Sequence, residues 1–271
     1  MGVGAGREIP RRTFLGGLAA MGLVSDGSRG TDRGVTTAMR DVDFPRHDPQ
    51  RVQAVVGASH RDLERVRSLV LEQPALAKAS WDWGFGDWET ALGAASHTGR
   101  REIAEFLIAH GARPTIFSAA MLGHVDTVRA FLDADPGLHL LHGPHGISLM
   151  RHAEAGGAPA EAVAELLIER FGPDERPFGT RGDQALEVRY GGRYDFETTP
   201  PLHMSVGVRN EWLMVGVGDE PSSRVLGVEE DVFHPTGAPA VRLRFTVEDG
   251  SATALTIEDG PVRVTGVRSP R

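Results

Sequence analysis

The stretch AASHTGRREIAEFLI, residues 94–108, sets the reading of the first half of the chain, because two other stretches superpose on it. These are VGASHRDLERVRSLV at 56–70 and SAAMLGHVDTVRAFL at 118–132. Arg61, Gly99 and Gly123 take equivalent turn positions. Five residues on lie Val66, Ala104 and Val128; eight on lie Leu69, Leu107 and Phe131; nine on lie Val70, Ile108 and Leu132. Apolar residues at that spacing form one stripe along a helix. A looser fourth copy starts at residues 148–153, with Pro159 suited to the first turn of its second helix and Val163, Leu166 and Leu167 as its stripe.

Thr90, Ala91, Leu92, Gly93, Ala94, Ala95 and Ser96, then Gly99, Ile103, Leu107, Ile108, Gly111 and Ala112, resemble an ankyrin repeat, whose pattern is T-P-L-H-x-A-A, a glycine, a second helix and G-A. Ala91 and Gly93 replace the proline and histidine of that pattern. The spacing also departs: 38 residues separate Arg61 from Gly99 and 24 separate Gly99 from Gly123, against a family period of about 33. The resemblance covers residues 51–172 and implies about four repeats stacked into a solenoid, each burying a stripe it cannot bury alone. It also implies recognition of a protein partner through a concave face and finger loops, with no shared catalytic residues.

N-terminal to the repeats, Arg11, Arg12, Thr13, Phe14 and Leu15 precede an uncharged run to Val24. This is similar to a twin-arginine export signal, and the run is far short of the ~20 apolar residues of a membrane span. Residues 1–30 are read as that signal, which implies an extracytoplasmic location, periplasmic or secreted. Residues 31–50, rich in Gly, Asp and Thr, are read as a flexible linker. The chain of 271 residues has 29 basic and 37 acidic side chains and a net charge of −8, which disfavours nucleic acid as a partner. No stable membrane insertion is expected, and with no cysteine there is neither a disulfide nor a thiolate site.

Beyond a linker at 173–183 the period drops to two. ALEVRYGGRYDF, LHMSVGVRNEWLMVGVG, RVLGVEEDVF, AVRLRFTVEDGSATALTIEDG and PVRVTGV read as successive strands of an antiparallel barrel over residues 184–271. Tyr190, Gly191, Gly192, Arg193 and Tyr194, with Phe233, His234, Pro235 and Val241 to Phe245, are similar to the lipocalin-like barrel appended to some serine β-lactamase-like proteins. In those relatives the barrel is an accessory. The fold class is thus multidomain α + β.

Catalytic signatures are missing: there is no S-x-x-K, G-x-S-x-G, H-E-x-x-H or phosphate-binding loop. No enzyme activity, cofactor or metal is expected. His139, His142, His145 and His152 form a notable run, but Gly143 and Pro144 break its helical geometry. His145 and His152 are assigned to hydrogen bonds that tie the loop to the last repeat, His139 and His142 to solvent. The most unusual local sequence is the finger loop preceding Thr90. Trp81, Asp82, Trp83, Phe85, Asp87 and Trp88, with Glu89 and His97 on the same edge, form the candidate binding surface, since aromatics dominate interface hot spots. Two alternatives stand beside this scaffold reading. One is a small-ligand carrier or enzyme with a site at the domain junction, built from His203, Asp195, Glu197 and the fourth repeat's loop. The other is an inhibitor or partner of a hydrolase. Oligomeric state is left open.

Overall fold

A computed structural model describes residues 46–219 and 221–270; the export signal and most of the 31–50 linker lie outside the described residues. Four helix pairs follow one another: α1 (Pro49–Ala58) with α2 (Leu63–Glu72), α3 (Ala91–His97) with α4 (Arg101–Ala109), α5 (Ile116–Met121) with α6 (Val125–Ala134), and α7 (Leu149–Ala155) with α8 (Glu161–Phe171). Each first helix is started by a side-chain cap. Asp48 accepts from Gln50 N, Thr90 from Gly93 N, Thr115 from Ser118 N and Ser148 from Arg151 N. Such caps satisfy amides that have no intrahelical partner.

The first helices stack on one another in chain order, and each second helix packs on its own first. The stripes read from the sequence supply this packing: Val66, Leu69, Val70, Ala104, Leu107, Val128 and Leu132 are buried, as are Val163, Leu166 and Leu167 of the fourth pair. Two positions depart, and the first, Ile108, is only half-buried against the core of the first two pairs. Phe131 is 43% exposed, so Leu132 and Val128 carry the α6 stripe without it. Gly99 and Gly123 turn the chain with φ of +68° and +73°, and each lies where a Cβ would overlap a backbone carbonyl oxygen, of Ala155 and Pro159 respectively. Glycine meets both demands because it has no Cβ.

Between α2 and α3 the chain forms a hairpin, β1 (Ser80–Asp82) with β2 (Trp88–Thr90). After α8 comes α9 (Gln184–Tyr190), then β3 (Gly192–Phe196), β4 (Leu202–Arg209), β5 (Trp212–Val217), β6 (Ser223–Glu229), β7 (Val232–Pro235), β8 (Arg242–Glu248), β9 (Ser251–Asp259) and β10 (Val262–Arg268). Strands β3 to β10 make a closed antiparallel barrel of eight strands, with β10 paired back to β3. This is the architecture that the lipocalin-like resemblance implied. Closure leaves the barrel itself without an unpaired edge strand. Tyr190, Tyr194, Phe233 and Phe245 form an aromatic cluster in its core, with ring centroids 4.7–5.9 Å apart along their contacts.

The strand expected over 184–190 is instead the helix α9. Asp183 caps it by accepting from Leu186 N at 2.8 Å, and the Glu187 carboxylate accepts from Val208 N on β4 at 2.6 Å. A cap and a tertiary anchor thus outweigh an alternating pattern of seven residues. The helix pairs and the barrel belong to one compact unit. Among the described residues no helix is long and apolar enough to cross a membrane.

Candidate metal centre

The hairpin does not stand out from the molecule as a free finger. Its tip turns through three successive residues of positive φ, Gly84, Phe85 and Gly86, and Asp82 accepts from Gly84 N at 2.9 Å. Phe85 packs against the barrel core, and Gly84 faces Val217 of β5. Asp87 lies so close to Gly237 that any Cβ there would strike its carboxylate. Docking the tip on the barrel buries Asp87 and Glu89, while Trp88 between them stays 62% exposed. Strand alternation puts these carboxylates on the inner face.

A buried carboxylate is costly unless its oxygens are bonded. Around Glu89 the bonding is extensive. Trp83 Nε1 donates to its Oε2 at 2.7 Å, and His97 Nε2 lies 2.8 Å from its Oε1. His145 Nε2 is 3.4 Å from Oε1 and His60 Nε2 is 3.4 Å from Oε2. Three imidazoles therefore present the same ring nitrogen to one carboxylate. One ligand atom from each of His60, Glu89, His97 and His145 lies within 4.8 Å of all the others.

The four side chains come from separate elements. Ser59-His60 closes α1 and Ser96-His97 ends α3; in each pair the serine hydroxyl donates to a carbonyl four residues back, Val55 at 2.7 Å and Leu92 at 2.6 Å. Glu89 is on β2. His145 occupies a tight turn between Pro144 and Gly146 with φ 58° and ψ 21°, a left-handed conformation rare for a residue with a Cβ. Three bonds hold it there: its backbone N–H and its Nδ1 both reach Asp87 at 2.8 Å, and its carbonyl accepts from Thr236 Oγ1 of the barrel at 2.7 Å.

The outer ring nitrogens fix which atoms point inward. His60 Nδ1 lies 3.1 Å from the carbonyl of Gly57, which can only accept, so this nitrogen carries the hydrogen and Nε2 holds a lone pair when the ring is neutral. His145 Nδ1 is bonded to the Asp87 carboxylate in the same sense. Metal-ligating histidines show this arrangement, the outer N–H bonded to a carbonyl or carboxylate and the inner nitrogen free to coordinate. Bonds of about 2.0–2.1 Å to a tetrahedral zinc-class ion place ligand atoms about 3.3 Å apart. The separations of 2.8 and 3.4 Å around Glu89 are of that order.

The electrostatics express the same demand for positive charge. Burial acts to raise the Glu89 carboxyl, but bonds from His145 and His97 outweigh it and hold the group well below the usual carboxylate range. Burial acts to lower His145, yet Asp87 and Glu89 raise it to about 9. Burial lowers His60. His152, wholly buried behind His97 with ring centroids 6.4 Å apart, is pushed down to about 4 by its burial and bonds the carbonyl of Ser148.

The histidine edges face solvent-reachable space between the helix pairs and the barrel. One cleft of about 570 Å³ is lined by His60, His97 and His145 together with Arg151, Phe178 and Arg224. Another of about 470 Å³ reaches His60, Trp83 and His145 from the side of Asn210 and Ser222.

Of the residues singled out in the sequence, Glu89 and His97 enter the cluster and Trp83 and Asp87 support it. Asp82 and Phe85 shape the hairpin tip, Trp81 packs on the core of the first helices, and Trp88 is on the surface. His145, assigned to tying its loop to the last repeat, bonds the hairpin instead, and His152 bonds the start of its own helix. His139 stacks on Phe171 at 3.8 Å and His142 is exposed. His203 pairs with Asp219, Asp195 with Arg193, and Glu197 is exposed. His60 lies outside the aromatic hairpin and the histidine run; its signal in the sequence is the recurrence of Ser-His, at 59–60 and 96–97, at the end of two first helices. No family profile and no curated protein matches the chain. The fold and the site by themselves define its class: stacked helix pairs joined to an eight-stranded barrel, with three half-buried histidines around one buried glutamate at the seam.

Proposed function

We propose that this chain binds a divalent transition-metal ion through His60, His97 and His145, with Glu89 completing the set, and acts on a small substrate that enters the adjoining cleft. The observation that carries this reading is the convergence of three Nε2 atoms on one buried carboxylate while two of the outer nitrogens are bonded to Gly57 and Asp87. Three imidazoles and a carboxylate suit zinc, iron, nickel or manganese-class ions. Such an ion supplies Lewis acidity for polarising a carbonyl or lowering the pKa of water. The chain's own residues hold and orient: Trp83 fixes the second oxygen of Glu89, and Asp87 fixes the ring of His145.

The test is metal content after loading with zinc, cobalt or nickel and exhaustive dialysis, for the natural chain and for His60→Ala, His97→Ala and His145→Ala. The reading requires about one ion per chain and loss of retention in each variant. An unretained ion in the natural chain, or equal retention in all four proteins, removes it.

The helix pairs are read here as ankyrin-type repeats, supported by their apolar rows and by the Thr90 cap on Gly93. Export by the twin-arginine route, which carries folded chains, suits a protein that must acquire its metal before crossing. A second reading, recognition of a protein partner by the hairpin, is favoured by the exposure of Trp88. Affinity capture with Trp88→Ala beside the natural chain tests it: a partner lost with the variant supports the surface, and one retained equally by both does not.

A further inference from the structure

Arg224 of β6 lies with its guanidinium carbon 3.9 Å from the centre of the Phe178 ring, and Arg151 of α7 lies 4.3 Å from the same centre. Two cations thus share one aromatic ring in a chain whose net charge is −8. The ring's electron density attracts each of them, but it does not cancel their mutual repulsion. Counter-charge is scarce. The Arg224 side chain makes no ion pair or hydrogen bond among the described residues, and its Nε is buried without a partner. Among the described residues the Arg151 guanidinium pairs only with Glu154, 3.7 Å away on the next turn of its own helix, and Glu154 is the single acidic one lining this cleft. Burial and the neighbouring Arg151 both act to lower the Arg224 guanidinium, the direction expected of an unneutralised cation.

Both arginines line the cleft that carries the three histidines, with Phe178, Ile147 and Met214 as its apolar surface. We infer that Arg224 and Arg151 form an anion subsite beside the histidine cluster, so that the molecule taken into the cleft is a small organic anion, carboxylate or phosphate, with an apolar body against Phe178. A guanidinium fork matches both anions in geometry, and bonds to a charged group are about twice as strong as neutral ones. The subsite rests on the proposed function for its role as a substrate anchor, but its capacity to bind an anion does not require the metal.

The experiment separates the two. Calorimetric titration of the full chain with inorganic phosphate and with benzoate is run on protein freed of metal and on protein loaded with zinc, for the natural chain, Arg224→Gln, Arg224→Lys, Arg151→Gln and Arg181→Gln. Arg181 is an exposed arginine stacked on Trp212 and paired with Glu211, and serves as the control. Loss of one charge-assisted contact predicts roughly tenfold or more weaker anion binding in Arg224→Gln and Arg151→Gln. Arg181→Gln should leave it unchanged, and zinc content should be equal throughout. Arg224→Lys retains the charge without the fork; if Arg224→Gln unfolds, Arg224→Lys and Arg151→Gln carry the measurement. Equal binding by the natural chain and the folded subsite variants overturns the subsite, as does failure of the natural chain to bind either probe. A natural chain that retains no zinc yet binds benzoate in an Arg224-dependent way removes the metal reading and keeps the subsite.

Discussion

Asp87 accepts both the backbone N–H and the ring Nδ1 of His145, each at 2.8 Å, across 58 residues of sequence. The two bonds set the left-handed turn and the direction of the ring together, so the hairpin and the 144–146 turn are one device. Left-handed backbone in a residue with a Cβ persists only where its surroundings over-determine it. Here Asp87 and Thr236 do so, one from the hairpin and one from the barrel.

Asp87→Asn keeps the size of the side chain and one acceptor oxygen but loses the charge. Partners of this kind, bonded to the outer nitrogen of a metal-ligating histidine, contribute about 10–100-fold in affinity. Zinc affinity, measured by competition with a chromophoric chelator, should fall within that range while far-UV circular dichroism stays native. An unchanged affinity means that Asp87 does not orient His145 toward a metal.

Trp83 and Trp88 are separated by five positions on the same hairpin and have different tasks. Trp83→Phe deletes the donor to the buried Glu89 Oε2 and leaves that oxygen short of a partner, a loss of about 1–3 kcal/mol. Trp88→Ala removes an exposed ring and is expected to stay within about 0.5 kcal/mol. Urea unfolding monitored by circular dichroism orders the two. The reverse order contradicts the placement of the hairpin.

Two glycines of positive φ test two turns, Gly111 between the second and third helix pairs and Gly123 between the helices of the third. At Gly111, φ +92°, a Cβ meets open space, so Gly111→Ala costs only the backbone preference, about 1–2 kcal/mol. At Gly123, φ +73°, the added methyl also overlaps the carbonyl oxygen of Pro159. Thermal and urea denaturation should show Gly123→Ala to be the more destabilising by at least about 1 kcal/mol, the scale of overpacking. Equal losses would mean that α5 and the turn before α8 do not approach as closely as described.

Burial raises the Tyr194 hydroxyl to about 12, against an ordinary value of 10. Its folded-state value lies above the unfolded one, so the folded chain keeps its proton where the unfolded chain releases it. That contribution is present in full below pH 10 and is lost as pH rises toward 12, on the order of 2 kcal/mol. With two tyrosines and a single lysine in the chain, few other groups titrate in this window. Tyr194→Phe should weaken the protein at pH 9, through the lost 2.6 Å bond to the Tyr190 carbonyl, and flatten the decline in stability between pH 10 and 12. Parallel declines in the two proteins would show that Tyr194 is not the group responsible.

The helix pairs were legible in the sequence because their cause is local. Rows such as Val66, Ala104 and Val128 repeat at helical spacing, and caps such as Thr90 and Ser148 act on amides three residues away. The barrel strands were legible for the same kind of reason, since Leu243 and Phe245 alternate with Arg242 and Arg244 on a pleat of period two. Residues 184–190 were misread because a seven-residue alternation is a weak signal against one capping aspartate, Asp183. Glu89 and His97 stood out only as neighbours of an aromatic loop. That His60, Glu89, His97 and His145 share one centre was decided by the tertiary structure alone. Their side chains meet only after α1 and α3 stack, the hairpin tip docks on the barrel, and Asp87 and Thr236 hold the turn at His145. No periodicity records such contacts, because the chain between them, 85 residues from His60 to His145, has no regular part in the geometry of the site.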